Sequence, residues 1–263
     1  MHSLFEFLIY LIIGLAAGFS SGLFGIGGGV IVVPALLTIF YALDFPPEKI
    51  MQMAVATSIT AMVMTSGSSA WAHRKGVDWR LLKALLPGIL LGSFLGAYIA
   101  YLLPTKTLQN VFGIFLCFFG IYFLLTAKNE EIEKKIKTNH VMFGFLGVLV
   151  GTISSVLGIG GGILTVPVLI LVGASLRKAI STSAATGFFI AFVGALSFFY
   201  LGWQEGDSFN SGYVYVPAFI VIGLAAMIMA PQGAKFAYST SSMILKRIFG
   251  SFQIIIGILM IYF

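Results

Sequence analysis

Polar and apolar residues follow one another along this chain in long blocks, not at short periods. Apolar runs cover approximately Leu4 to Phe24, Val30 to Leu43, Ile50 to Ala72, Leu81 to Leu103 and Leu108 to Ala127. A charge-rich stretch, KNEEIEKKIKTN from Lys128 to Asn139, comes next. The plan then repeats at approximately Val141 to Leu157, Ile163 to Val172, Ala179 to Leu201, Tyr213 to Ala230 and Ile244 to Phe263. Most of these runs reach about 20 residues, the helix length that crosses a ~30 Å hydrocarbon core. Membrane β-barrels need alternating strands of about ten residues, and none is present. The pattern predicts an all-α polytopic membrane protein of two repeats, each of about five apolar segments. The first membrane repeat occupies residues 1–127, the charged linker 128–139 and the second repeat 140–263.

Two segments are too short to span. Val30 to Tyr41 and Ile163 to Val172 give about 18 and 15 Å of helix at ~1.5 Å per residue. Each follows a glycine cluster, and the clusters match: GFSSGLFGIGGGVIVVPAL from Gly18 to Leu36, and GTISSVLGIGGGILTVPVL from Gly151 to Leu169. Gly18, Ser21, Gly25, Ile26, Gly27, Gly28, Gly29, Val33, Pro34 and Leu36 all recur at a constant offset of 133. The duplication continues in AVATS (Ala54 to Ser58) against AISTS (Ala179 to Ser183), and in Phe112-Gly113 and Gly120 against Phe249-Gly250 and Gly257. Glycine costs about 1 kcal/mol against alanine inside a helix and proline about 3, so these clusters interrupt helices. Non-helical backbone at membrane depth survives where protein or a water-filled cavity satisfies it, which makes a broken or re-entrant hairpin a candidate binding site. Close helix packing through small residues is the alternative reading.

Composition and charge sharpen the picture. With 59 % hydrophobic and 9 % charged residues, the chain is not an ordinary soluble domain. Its formal charge of +6 sits in short breaks between apolar runs, which orients a membrane protein and gives no case for nucleic acid. Arg74, Lys75, Arg80 and Lys83 follow the third segment of the first half, whereas the matching place in the second half, WQEGDSFN from Trp203 to Asn210, is acidic. Second-half basic residues lie at Arg177, Lys178, Lys235, Lys246 and Arg247, between other segments. An odd number of segments per repeat and this reversed charge bias predict inverted repeats. The Arg74 to Lys83 loop and the linker are then cytoplasmic, and the Trp203 to Asn210 loop and both termini external. The N-terminal MHSLFEFLIY, with Glu6 and no basic region, reads as the first membrane segment and not as a signal peptide. Cys117, the only cysteine, lies in an apolar run and supplies neither a disulfide nor a metal site.

A helix that starts at a midplane glycine turn presents unpaired N–H groups and about half a positive charge. Two such starts facing one another make an anion site, with Gly27, Gly28 and Gly29 on one side and Gly160, Gly161 and Gly162 on the other. Glycine lets a ligand approach the backbone, and Pro34 and Pro167 suit a first helical turn, where the missing N–H costs nothing. No basic side chain falls within the central segments, so backbone dipoles supply the attraction. Hydroxyls in the third segments, Thr57, Ser58, Thr182 and Ser183, stand at matching places and could complete an oxyanion's hydrogen bonds; Thr60 and Thr186 lie nearby. Such hydroxyls also bond to the carbonyl four residues back or join helices. Ser21 and Ser154, matched just before the turns, are secondary candidates.

Other chemistries fail on inspection. GFSSG fits the nucleophile pattern G-x-S-x-G, but Ile153 replaces Ser20 in the second copy, and His2, His73 and His140 fall at segment ends. No Gly-Lys-Ser/Thr follows either glycine run, so neither is a phosphate loop. His73, beside Arg74 and Lys75, reads as a solvated interfacial residue. Nothing has metal-ligand spacing, no cofactor is expected, and the chain does not read as an enzyme.

Two copies of G-x-G-G-G followed by V-P, each trailed by an A-x-x-T-S element and a Phe-Gly segment, resemble the sulfite exporter TauE/SafE family of membrane permeases over nearly the whole chain. The resemblance implies transport of sulfur-containing anions such as sulfite, thiosulfate or organosulfonates, across a bacterial cytoplasmic membrane. Related thiosulfate-uptake proteins use paired cysteines, and this chain departs from them with Cys117 alone. The expected function is secondary transport of a small oxyanion by alternating access, with a passive anion channel and a non-transporting membrane scaffold as the other classes. The expected partners are that small anion and the lipid bilayer, with a homo-oligomer left open.

Overall fold

The computed structural model describes residues 2–127, 139–203 and 212–262. The expectations for the 128–139 linker and the Trp203 to Asn210 loop lie outside the described residues, apart from Asn139 and Trp203. The helices of the first half are α1 (His2–Phe24), α2 (Gly29–Ala42), α3 (Ile50–His73), α4 (Trp79–Leu102) and α5 (Thr105–Leu125). Those of the second are α6 (His140–Leu157), α7 (Gly162–Leu171), α8 (Leu176–Trp203), α9 (Val216–Ser239) and α10 (Ser242–Tyr262). Eight of them are long and apolar enough to cross a membrane; α2 and α7 are the short apolar pair. This is an all-helical, multi-pass membrane protein. Large apolar side chains such as Phe94, Phe118, Phe145 and Ile228 cover its outside, as a lipid solvent allows.

Local chemistry sets the helix starts. Asp78 caps α4 by accepting from the N–H groups of Arg80 and Leu81, and Asn139 caps α6 in the same way with Val141 and Met142. The apolar pattern placed the end of α9 at Ala230, before Pro231, yet the helix continues to Ser239. Pro231 cannot donate to the Met227 carbonyl, and the Ser68 hydroxyl of α3 donates to it instead at 2.7 Å. A neighbouring helix thus repairs the break.

Small residues decide which helices meet. Along α4, Gly88, Gly92 and Gly96 press on the α6 backbone at Gly144, Val148 and Thr152. Along α1, Gly14, Gly18 and Gly22 press on the α9 backbone at Ile222, Ala226 and Ala230. Any Cβ at these positions would collide with backbone, so the four-residue glycine spacing is what brings the axes together. In both pairs the residue numbers rise together, so α1 runs parallel to α9 and α4 parallel to α6. The first helix of each half packs on the fourth helix of the other, and the fifth helices pair across Gly113 with Gly257 and Gly120 with Gly250.

The same contacts fix the two ends of the molecule. One end holds the starts of α1, α3 and α9 and the close of α10: Tyr10 stacks edge-on with Tyr215, the Tyr215 N–H donates to Thr57, and Gln109 at the start of α5 donates to the Met260 carbonyl. The opposite end holds the close of α3 and α9, where His73 meets Tyr238, and the starts of α4, α8 and α10. Arg74, Lys75, Arg80, Lys83, Arg177, Lys178, Lys235, Lys246 and Arg247 gather at this second end, whereas Glu6, Asp44 and Glu48 lie toward the first. Helix α1 runs toward the basic end and α2 returns from the middle; α6 begins at the basic end and α7 returns to it.

Candidate anion site at the glycine turns

The two glycine turns meet in the middle of the bundle. A Cβ built on Gly160 would stand 2.6 Å from the Ile26 carbonyl oxygen and 2.8 Å from Gly27 Cα. One on Gly27 would lie 2.9 Å from Gly160 Cα. On either side of this central contact, Gly29 is packed on the Gly158 backbone and Gly162 on that of Gly25 and Ile26. Adding 133 exchanges the two flanking contacts and leaves the central pair unchanged, so the repeat offset maps the contacts between the turns onto one another.

Left-handed backbone makes the turns glycine-dependent. Gly28, the residue before α2, has φ 87° and Gly161, before α7, has φ 64°, a region that other L-residues enter at a cost. Neither helix start has a side-chain cap. Each therefore keeps the positive end of its dipole directed at the meeting point, without a carboxylate to neutralise it. Two converging helix starts favour a small anion.

The matched hydroxyls brace this arrangement. Ser58 donates to the Gly158 carbonyl and Ser183 to the Gly25 carbonyl, both at 3.1 Å, so each half's third helix holds the other half's glycine turn. Thr57 accepts the Tyr215 N–H at 2.9 Å and Thr182 accepts the Asp78 N–H at 3.0 Å, closing the start of the other half's fourth helix. All four are buried and have protein partners. Of the secondary candidates, Ser21 is buried beside the first turn and its hydroxyl has no partner, while Ser154 uses its carbonyl to accept the Ile159 N–H. Pro34 and Pro167 correct the expectation of a first-turn position. Both stand sixth in their helices, one turn further from the glycines, because α2 and α7 already begin at Gly29 and Gly162.

Two residues behave otherwise than the sequence suggested. His73 is not solvated: it is buried, with Nε2 2.7 Å from the Gly22 carbonyl and Nδ1 3.1 Å from the Tyr238 hydroxyl. Its basic neighbours suggested an interface, but α1 and α9 cover the ring. Lys246, placed by sequence between segments, lies in α10 at 4 % exposure, with its ammonium donating to the Thr126 carbonyl at 3.2 Å. It lines a cleft of about 290 Å³, open mouth included, whose walls are mainly Phe24, Ile26, Val166 and Phe249 and which reaches Gly162. Its lining includes Leu245 and Lys246 of α10 and Gly162 at the start of α7. Among the described residues no group of three His, Cys, Asp or Glu side chains could hold a metal.

The family model described as Sulfite exporter TauE/SafE matches residues 10–260. A probable membrane transporter protein of Haemophilus influenzae is 32 % identical over 256 residues, covering 95 % of this chain and 96 % of its own. One of Methanocaldococcus jannaschii is 28 % identical, covering 98 % and 97 %. The probable membrane transporter protein YunE of Bacillus subtilis is 28 % identical over 73 % of this chain and 76 % of its own length. No solved structure matches the chain.

Proposed function

We propose that this chain, which belongs to the sulfite exporter TauE/SafE family, is a secondary transporter of a small sulfur-containing oxyanion or organosulfonate. The observation that carries the reading is the meeting of two uncapped helix starts at Gly27 and Gly160, with the repeat offset exchanging the contacts around them. We read the halves as inverted-topology repeats and the substrate site as Gly27 to Gly29 with Gly160 to Gly162, near the midplane. Ser58 and Ser183 hold the turns in register, and Thr57 and Thr182 hold the helices behind them. Rocking of the two repeats about this fixed point would expose the anion to each side in turn. The cleft past Lys246 is the approach from the basic end, and the positive-inside rule makes that end cytoplasmic.

Purified protein in proteoliposomes is expected to take up sulfite or a short sulfonate saturably and to support counterflow of labelled anion against unlabelled. Flux that rises linearly with concentration and lacks counterflow would identify a channel instead. No flux of any sulfur anion would leave a scaffold. Orientation has a separate test in a Cys117→Ala background. Lys75→Cys is expected to label only from the cytoplasmic face and Glu48→Cys only from the other, and labelling of both from one face refutes the topology.

A further inference from the structure

Ser21, Ser66 and Ser155 are buried hydroxyls near the turns without a partner among the described residues, and of these Ser66 lies against the glycines of the central contact. It stands on α3, two helical turns beyond Ser58, and is 1 % exposed. Hydroxyls in these helices generally take the carbonyl four residues back: Thr60 donates to Ala56, Thr65 to Ala61, Ser181 to Arg177 and Ser197 to Val193. Ser66 does not bond to Met62 or to any other group. Its oxygen lies instead 2.9 Å from where a Cβ on Gly27 would be, and 3.4 Å from that of Gly187 on α8. Gly187 in turn touches the Gly160 carbonyl, at 2.8 Å from its own Cβ position. Three glycines, one from each turn and one from α8, thus leave bare backbone around a single unspent hydroxyl. A buried hydroxyl without a partner destabilises a fold by about 1–3 kcal/mol; what separates Ser66 from other such hydroxyls, Ser93 among them, is its place against the glycine turns.

We infer that Ser66 is a substrate-binding residue, donating its hydroxyl to an oxygen of the anion held beside the contact of the two glycine turns. The inference rests on the transport reading above and deepens it. A hydroxyl donor fits an oxyanion, whose oxygens are acceptors only, and it adds a directional bond to the non-directional pull of two helix dipoles. Its counterpart under the third-helix alignment, Thr57 with Thr182, is Ala191, so the second half contributes no equivalent donor. One side of an otherwise repeat-matched site is therefore polar, and a pyramidal or tetrahedral anion carrying one distinct substituent could be held in a single orientation there.

The test is Ser66→Ala in proteoliposomes, using whichever of sulfite, thiosulfate or a short alkanesulfonate the wild type moves best, with Ser93→Ala as comparison. Ser93 is also buried and unpartnered, but it lies where α4 packs on α6. Ser66→Ala is expected to raise KM by tenfold to a hundredfold, with a thermal midpoint equal to or above that of wild type, since it deletes an unsatisfied group. Ser93→Ala is expected to keep KM within twofold. A Ser66→Ala KM within twofold of wild type overturns the inference. So does a fall of several degrees in its midpoint, which would make the hydroxyl structural, and so does an equal KM rise in Ser93→Ala. Absence of flux in the wild type defeats the transport reading itself and the inference with it.

Discussion

Gly160→Ala is expected to reduce anion transport by at least a hundredfold, while Gly144→Ala leaves it unchanged. Gly160 does not have the positive φ of its neighbour Gly161, so alanine brings no backbone strain of its own there. The added methyl would instead sit 2.6 Å from the Ile26 carbonyl oxygen and 2.8 Å from Gly27 Cα, and both obstacles are backbone. The two turns must move apart, and with them the converging helix starts on which the site depends. Nothing lies within 4 Å of a Cβ at Gly144, where alanine favours the helix by up to about 1 kcal/mol. Uptake normalised to monodisperse reconstituted protein reads the difference. Full activity in Gly160→Ala would place the pathway elsewhere. Leucine at Gly28 or Gly161 is a coarser probe, because φ values of 87° and 64° add strain to any steric effect.

The second large effect is on stability. Thr57→Val and Thr182→Val keep the side-chain shape but remove the acceptors for the Tyr215 and Asp78 N–H groups. A buried N–H left unpaired costs about 1–3 kcal/mol, and interhelical hydrogen bonds in membranes are worth about 0.6–2, so each variant is expected to melt several degrees lower. The two bonds close opposite ends of the bundle, and the losses are expected to add in the double variant. If these hydroxyls serve as braces and not as ligands, affinity is expected to stay within about twofold. A tenfold rise in KM with an unchanged melting point would return these hydroxyls to the ligand. Calorimetry and uptake on the same preparations decide.

Sequence carried the ten α-helices of the described residues because in a bilayer the length of an apolar run is itself the structural signal. It carried the glycine turns because three glycines and a proline recur at a fixed offset. The same reliance on repetition explains what was missed. Thr57, Ser58, Thr182 and Ser183 stood out because they recur at matching places in both halves, whereas Ser66 aligns with Ala191 and gives no signal by self-comparison. The apolar run stopped at Ala230 while α9 continues through Pro231, because the Ser68 hydroxyl that satisfies Met227 is far away in sequence. His73 read as solvated for a similar reason: the groups that bury it, Gly22 and Tyr238, belong to α1 and α9. The pairing of α1 with α9 and of α4 with α6 rests on glycine spacings that each helix shows alone but that do not name a partner.

That pairing has a consequence for how the protein is made. The glycine face of α1 is cut to fit α9, which begins at Val216, so its mate does not exist until most of the chain has been translated. At about 5–20 residues per second, the interval between the end of α1 and the start of α9 is on the order of ten to forty seconds. During that time α1 waits in the membrane with a close-packing surface turned to lipid. The α4 face meets α6 much sooner, so the earliest stable assembly joins the middle of the chain, and the N-terminal helix docks among the last.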